Sequence, residues 1–444
     1  MIVVSCLMII NFNIELIQSS SENYQNRPYF SLKLLKQSNI NNDNNNRENG
    51  VNSLHLNQQT VFHKYNNQQY QEKIKEYQSE IDKRIEQYRI EHQQQQDWRI
   101  KHYQKNPQET RKPALDFYQG LDKEFQIFPD YLKSLNSQRT KQHYDISIVT
   151  QTTVDRLEKV KLMAEKWLAP LSVAVFILNE DKDIDILEKY VSNCPILQEF
   201  CDFHLLLANH TRYPVNNLRN LAIQNSKTEF VFNLDVDFLP PLGLHQYIRE
   251  HIHKQKNDIT YSNSEDESKF AFVVPSFSSS IHPKNHPDDK LKLTELVYQH
   301  LVEPSNLKLC WNCHSPTNFT HWFQSNEAYQ IRYKWIYEPY LIYNRTNAPT
   351  FDERLKGYGF DKNSHSFVLA VSGYRFIVLP HAFIIHINHE SSNWQGPSVK
   401  DQLWDSLSIA CDIIKDIKLK YNYSLDDSMF NEPILSQCFT DLHW

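Results

Sequence analysis

Two carboxylates one residue apart close an apolar run, Phe230-Val-Phe-Asn-Leu-Asp-Val-Asp-Phe-Leu-Pro240. Side chains at i and i+2 of an extended strand point the same way, so Asp235 and Asp237 are expected to share one face at a strand end. Acids paired like that make an oxygen-rich site for a hard cation, and a divalent ion held there bridges to a phosphorylated ligand. Phe238-Leu-Pro-Pro241 gives the pair apolar surroundings, in which two like charges are costly unless a cation neutralises them. A second acidic cluster, Asp181-Lys-Asp-Ile-Asp185, also follows a strand-like run. It precedes a helical segment, whose first turn favours acids through capping and the macrodipole, and that role accounts for it fully.

The elements that must position Asp235 and Asp237 are legible as apolar runs. Ile146-Ser-Ile-Val-Thr-Gln-Thr-Thr153, Leu171 to Leu178, Phe203 to Ala208 and Phe230 to Leu234 read as strands. Helical spacing follows each of the first three, over Val154 to Leu168, Ile184 to Val191 and Leu218 to Gln224. Strands alternating with helices imply a mostly parallel α/β sheet, and in such sheets ligands sit at the carboxyl ends of the strands. Asp235, Asp237 and the segment Thr150 to Thr153 all fall at that edge.

Composition divides the 444 residues into three parts. Residues 1–18 begin with the uncharged apolar run Met1 to Ile10, shorter than a bilayer span. This fits a secretory signal or a short signal-anchor, with a buried strand as the alternative. Residues 19–143 are polar, Asn-rich and then Gln-rich, with Ile74, Tyr77, Ile81, Ile85 and Tyr88 at helical spacing. They are expected to form a stem, partly helical or disordered. Residues 144–444 are the expected catalytic domain. A net charge of −6 gives no polyanion-binding signature and argues against nucleic acid as a partner.

Seven cysteines are present, and setting aside Cys6 in the leader leaves an even number suited to an oxidising lumen. Cys310-Trp-Asn-Cys313-His314 invites a zinc reading. The chain lacks a second Cys-x-x-Cys, so a disulfide or two plain thiols are expected instead. N-x-S/T sequons at Asn209, Asn318, Asn344 and Asn422 agree with a luminal location, Golgi or ER.

From residue 144 to about 400 the order of segments resembles glycosyltransferase family 49, which includes the second catalytic domain of LARGE-type xylosyl-glucuronyltransferases and a β-1,4-glucuronyltransferase. The matching pieces are Thr150-Gln-Thr-Thr-Val-Asp-Arg-Leu157, Tyr213-Pro-Val-Asn-Asn-Leu-Arg-Asn220, Asn233 to Pro240, and His314-Ser-Pro-Thr-Asn-Phe319. Glu338-Pro-Tyr340, Phe351-Asp-Glu-Arg-Leu-Lys-Gly-Tyr-Gly-Phe360, Phe376 to Pro380 and Phe383-Ile-Ile-His386 continue the series.

The resemblance implies a GT-A fold, Mn²⁺, a UDP-sugar donor, a glycan or glycoprotein acceptor and, in most such enzymes, anchoring in the Golgi membrane. It assigns Asp235 to ribose and metal, Asp237 to metal, and His386 as a further ligand, with His389 competing for that place. Arg219 and Asn220 are expected at the donor, Arg219 pairing with phosphate or instead holding Asp235 or Asp237 in position. Thr150 and Thr152 border the uracil or cap the following helix. Asp352 is the expected base for an inverting transfer, with Glu353 beside it as the alternative and pairing of Asp352 with Arg354 or Lys356 as the plain structural role. His314, Asn318, Glu338, Gly357 and Gly359 are expected to meet the acceptor. Glucuronic acid is the donor sugar the resemblance suggests. A catalytically inactive glycan-binding relative of the same fold is the main alternative. A two-metal phosphoesterase would need a larger cluster of His and Asp than the sequence shows.

Overall fold

The computed structural model describes residues 68–103, 125–138, 143–208, 212–257, 269–357, 359–389 and 399–421. The expected leader, residues 1–18, lies outside them.

Helix α1 (Gln68–Tyr103) comes first, followed by strand β1 (Gln126–Leu132). The alternating core then runs β2 (Ile146–Thr153), α2 (Leu157–Trp167), β3 (Leu171–Ile177), α3 (Glu180–Ser192), α4 (Pro195–Phe200), β4 (Cys201–Leu207), α5 (Val215–Asn225) and β5 (Phe230–Asn233). Strands β2 to β5 coincide with the four apolar runs. Asn179 caps α3 by accepting from the Lys182 amide at 3.2 Å, and Asp183 accepts from the Leu178 and Asn179 amides. The acids at 181–185 therefore serve the helix start, as their placement suggested.

Beyond β5 the chain forms β6 (Phe238–Leu239), α6 (Leu244–Asn257), β7 (Phe270–Val274), β8 (Ser276–Ser279), α7 (Lys290–Tyr298) and β9 (Val302–Pro304). It continues with α8 (Trp311–His314), α9 (Phe319–Gln324), β10 (Tyr329–Ile331), β11 (Tyr340–Asn344), α10 (Asp361–Val371), β12 (Arg375–Val378), β13 (Ile384–His386) and α11 (Val399–Tyr421).

Nine strands form one sheet in the order β1-β4-β3-β2-β5-β11-β7-β12-β10. Its centre, β4-β3-β2-β5, is parallel, and β11 enters antiparallel between β5 and β7. This is the mostly parallel α/β architecture expected for the chain. Apolar cores fill both faces, as a two-sided parallel sheet requires. A second sheet, β6-β13-β8-β9, sits where β5 gives out.

The packed unit starts well before residue 144. Strand β1 pairs antiparallel with β4 at the sheet edge. Helix α1 lays Ile74, Ile81 and Ile85 into the core, the apolar stripe seen in the sequence. Arg84 donates to the carbonyls of Val297 and Tyr298 at the end of α7, and Tyr77 stacks on Tyr298 at 4.7 Å. A cation at a helix C-terminus meets both the unpaired carbonyls and the negative end of the dipole. Two pieces of the region expected to be a stem are thus integral to the domain.

Candidate active site

The expectation that Asp235 and Asp237 project together from one strand is not met. Strand β5 ends at Asn233, and Val236 and Asp237 lie in a turn, with the Phe238 amide donating to the Asp235 carbonyl at 3.1 Å. The turn separates the two side chains into different neighbourhoods.

Asp237 meets two imidazoles because β6 pairs with β13. The register places His386 opposite Phe238, and the Ile387 amide donates to the Asp237 carbonyl at 2.7 Å. His389 Nε2 lies 2.9 Å and His386 Nε2 3.7 Å from Asp237 Oδ2. Ligand atoms of Asp237, His386 and His389 all lie within 4.8 Å of one another. Both histidines that competed for one place in the sequence therefore belong to the site. Burial pushes the Asp237 carboxyl up, but the hydrogen bonds from His386 and His389 outweigh it and hold the group well below the ordinary carboxylate range. Arg156, in the first matching segment, stands 3.8 Å away.

Asp235 is outside that cluster. Its Oδ1 accepts from Arg219 at 3.0 Å, and its Oδ2 accepts from Tyr340 Oη and Lys362 Nζ, each at 3.0 Å. Lys362 also donates to Tyr340 Oη at 3.1 Å. Burial raises the Asp235 pKa, yet Lys362 and Arg219 win and bring it down to about 2. Ionised Asp235 and cationic Lys362 thus hold each other in place at the end of β5.

Arg219 is 3% exposed and engaged by carboxylates. It bonds Asp235, Asp361 at 2.6 Å and Asn216 at 3.0 Å, which is the positioning role rather than the donor contact. Asn220 is equally buried. Its amide clasps the loop after β11, donating to the Phe351 carbonyl and to Glu353 and accepting from the Phe351 amide. Thr150 and Thr152 are each 1% exposed and lie on the buried face of β2. On the alternate face of β2, half-buried Gln151 accepts from Tyr213 Oη.

The expected base is engaged elsewhere. Both Asp352 oxygens accept from Arg354, at 2.9 Å and 2.7 Å, and Arg354 also pairs with Asp416. This is the plain structural alternative: the Arg354 guanidinium occupies both carboxylate oxygens. Glu353 is tied to Asn217 and Asn220, where it fixes the loop. Gly357 and Gly359 both take positive φ, 74° and 107°, and the Gly357 amide donates to the Tyr213 carbonyl at 2.8 Å. Glycine enters that region without steric cost.

His314 is buried, and burial, with Lys362 adding to it, lowers its pKa to about 3. Asn318 is exposed and caps α9, accepting from the His321 amide at 3.2 Å. Glu338 is half-buried two residues before Tyr340, and burial raises its carboxyl to about 7. Cys310 and Cys313 form a disulfide, so the zinc reading of that segment falls away. Cys194 and Cys201 are buried free thiols, which the count of an even set did not foresee.

Sequence reasoning missed Lys362, Asp361 and the part played by Tyr340. Tyr340 ends a matching segment, and Lys362 lies two residues past Phe360, so the signal was one of position without any local chemical pattern.

The chain matches the family described as "Glycosyl-transferase for dystroglycan" over residues 145–212 and 207–422. It is 53% identical to a glycosyltransferase-like protein, gnt14, of Dictyostelium discoideum, over 68% of this chain and 46% of that relative's length. Against the human xylosyl- and glucuronyltransferase LARGE1 it is 30% identical, covering 56% of this chain and 32% of the other. The chain thus spans less than half the length of both relatives. Among solved structures it is similar to GalNAc-T7 with UDP, GalNAc and Mn²⁺, at 14% identity and a TM-score of 0.40, over 65% of this chain and 51% of that one.

Proposed function

Because the chain belongs to this glycosyltransferase family, family 49, we propose that it transfers a sugar, glucuronic acid first among the candidates, from a UDP-sugar to a glycan or glycoprotein acceptor, with inversion and with Mn²⁺. The observation that carries this reading is the convergence of Asp237, His386 and His389 beside the Asp235–Lys362–Tyr340 group at one end of the parallel strands. The donor set, one carboxylate and two imidazoles, fits a divalent transition-metal ion such as Mn²⁺ rather than Ca²⁺ or Mg²⁺, which take oxygen shells. A divalent ion bound there would supply counter-charge for the departing diphosphate. Asp237 would hold that charge while His386 and His389 fix its direction, and Lys362 with Asp235 would order the neighbouring wall. One named relative is a glycosyltransferase-like protein and another a xylosyl- and glucuronyltransferase, which supports a nucleotide-sugar donor.

We place this activity in the secretory pathway, in the Golgi or ER lumen. The Cys310–Cys313 disulfide and a further disulfide at Cys411 support an oxidising compartment. Anchoring would fall to the N-terminus, since among the described residues no helix is long and apolar enough to cross a membrane.

A thermal-shift screen of UDP-glucuronic acid, UDP-xylose, UDP-GlcNAc and UDP-galactose, with and without Mn²⁺, tests the reading. Mn²⁺-dependent stabilisation by at least one donor, followed by transfer or UDP release, is the expected result. Glycan binding without turnover of any donor would favour the inactive relative.

A further inference from the structure

Glu338 stands out against the acids named above once each is asked what its carboxylate does. Asp237 is bonded by His386 and His389. Asp235 is held by Arg219, Tyr340 and Lys362, and Asp361 by Arg219. Asp352 is clamped by Arg354, and Glu353 is shared by Asn217 and Asn220. Each of these carboxylates already serves a fixed partner. The Glu338 carboxylate makes no hydrogen bond or ion pair among the described residues.

Its backbone, by contrast, is firmly fixed. The Glu338 amide donates to the Cys313 carbonyl at 2.9 Å, inside the loop closed by the Cys310–Cys313 disulfide. Pro339 follows and restricts the chain, and Tyr340 begins β11 with its hydroxyl on Asp235. A carboxylate with a rigid backbone and an unengaged head is how a proton acceptor is kept available.

The geometry points to Glu338 as the general base that activates the acceptor hydroxyl. This rests on the transferase reading above and names the residue that reading left unassigned. In the step, a Glu338 oxygen takes the acceptor O–H proton while the acceptor oxygen bonds to C1 of the donor sugar. The bond from C1 to the β-phosphate oxygen breaks, its electron pair leaves with UDP, and Glu338 later gives its proton to water.

The surroundings suit the task. The charged groups facing Glu338 are Lys362 and Asp361 from α10, Asp235 from the end of β5 and Arg219 from α5, with neutral His314 buried nearby. Burial raises the carboxyl, Asp361 and Asp235 raise it further, and Lys362 and Arg219 oppose them, leaving it at about 7. A base with that value is half-ionised near neutral pH and strong enough to accept a hydroxyl proton.

The test is Mn²⁺-dependent UDP release from the four UDP-sugars, with water as the acceptor, for wild type, Glu338→Gln and Asp352→Asn. For Glu338→Gln, kcat is expected to fall about 10²- to 10⁴-fold, with KM for the donor within about threefold. The acid limb of the wild-type pH–rate profile, falling below about pH 7, should vanish. Partial rescue of Glu338→Ala by added formate would support the same role. Melting temperature and Mn²⁺–UDP affinity, unchanged in Glu338→Gln, exclude a folding defect. If Glu338→Gln instead melts early, Glu338→Asp with an intact fold and a displaced acid limb carries the test. Should Glu338→Gln keep activity within threefold of wild type while Asp352→Asn carries the loss, the assignment is overturned and the transferase reading stands. A wild-type protein that turns over no donor overturns both.

Discussion

Replacing Arg219 with Met tests whether this guanidinium is a structural clasp or a donor ligand. Arg219 is 3% exposed and bonds two carboxylates, Asp235 at 3.0 Å and Asp361 at 2.6 Å. Met keeps the apolar length of the side chain and removes the charge, leaving both acids beside Lys362 alone. Breaking a buried pair by deleting one partner costs about 3–5 kcal/mol. A separate route gives a compatible size. Asp235 is held at about 2 against an ordinary 3.8, a difference of about 2.5 kcal/mol shared between Arg219 and Lys362, and the loss at Asp361 adds to it. For a domain of this size the melting temperature should drop on the order of 10 °C. The sign with pH follows from the lowered pKa. The Asp235 contribution is fully present above about pH 4 and is lost as pH falls through about 2, so the gap between variant and wild type should narrow in acid. Thermal melts from pH 3 to pH 7, together with UDP titration well below the melting point, make the assay. A melting temperature within about 2 °C of wild type, or UDP affinity lost while stability is intact, would refute the clasp.

Three further outcomes follow from the packing. Ile81→Ala in α1, at a position 1% exposed, should cost about 2–4 kcal/mol in denaturant unfolding; a surface-like change near zero would mean that α1 does not belong to the domain. Lys290→Met should destabilise by about 3 kcal/mol or more, because Nζ satisfies the carbonyls of Trp322, Ser325 and Pro380 in the interior, and a chemical melt at pH 7 reads it. Cys310→Ser should cost about 2 kcal/mol for so short a closed loop, whereas a zinc chelator should leave the melt unchanged.

The sheet was readable because its strands are buried on both faces, and β2, β3, β4 and β5 therefore appear as apolar runs between helical patterns. Helix α1 was visible as a stripe, but its Gln- and Glu-rich remainder concealed that the stripe docks on α7 and α9. Strand β1, Gln126-Ile-Phe-Pro-Asp-Tyr-Leu132, is short, contains Pro129 and lies at an edge, so it carries little pattern. The acid pair marked the right loop for the wrong geometrical reason, since a turn divides Asp235 from Asp237. His389 needed the β6–β13 register, and Lys362 needed the packing of α10 beside β5, neither of which is encoded locally. Asp352 was misleading although its partner Arg354 sits two residues away. Choosing between that pairing and catalysis required knowing that Glu338, far off in sequence, has its head unengaged.

The central claim is that Asp237, His386 and His389 together hold the ion on which donor binding depends. Isothermal titration of UDP in the presence of Mn²⁺, for wild type and for each of Asp237→Ala, His386→Ala and His389→Ala, measures it. Each variant should lose Mn²⁺-dependent UDP affinity by about 100-fold or more, the upper end of what even outer partners of a metal site cost, while any Mn²⁺-independent binding persists. Wild-type UDP affinity indifferent to Mn²⁺, or undiminished in all three variants, would contradict it.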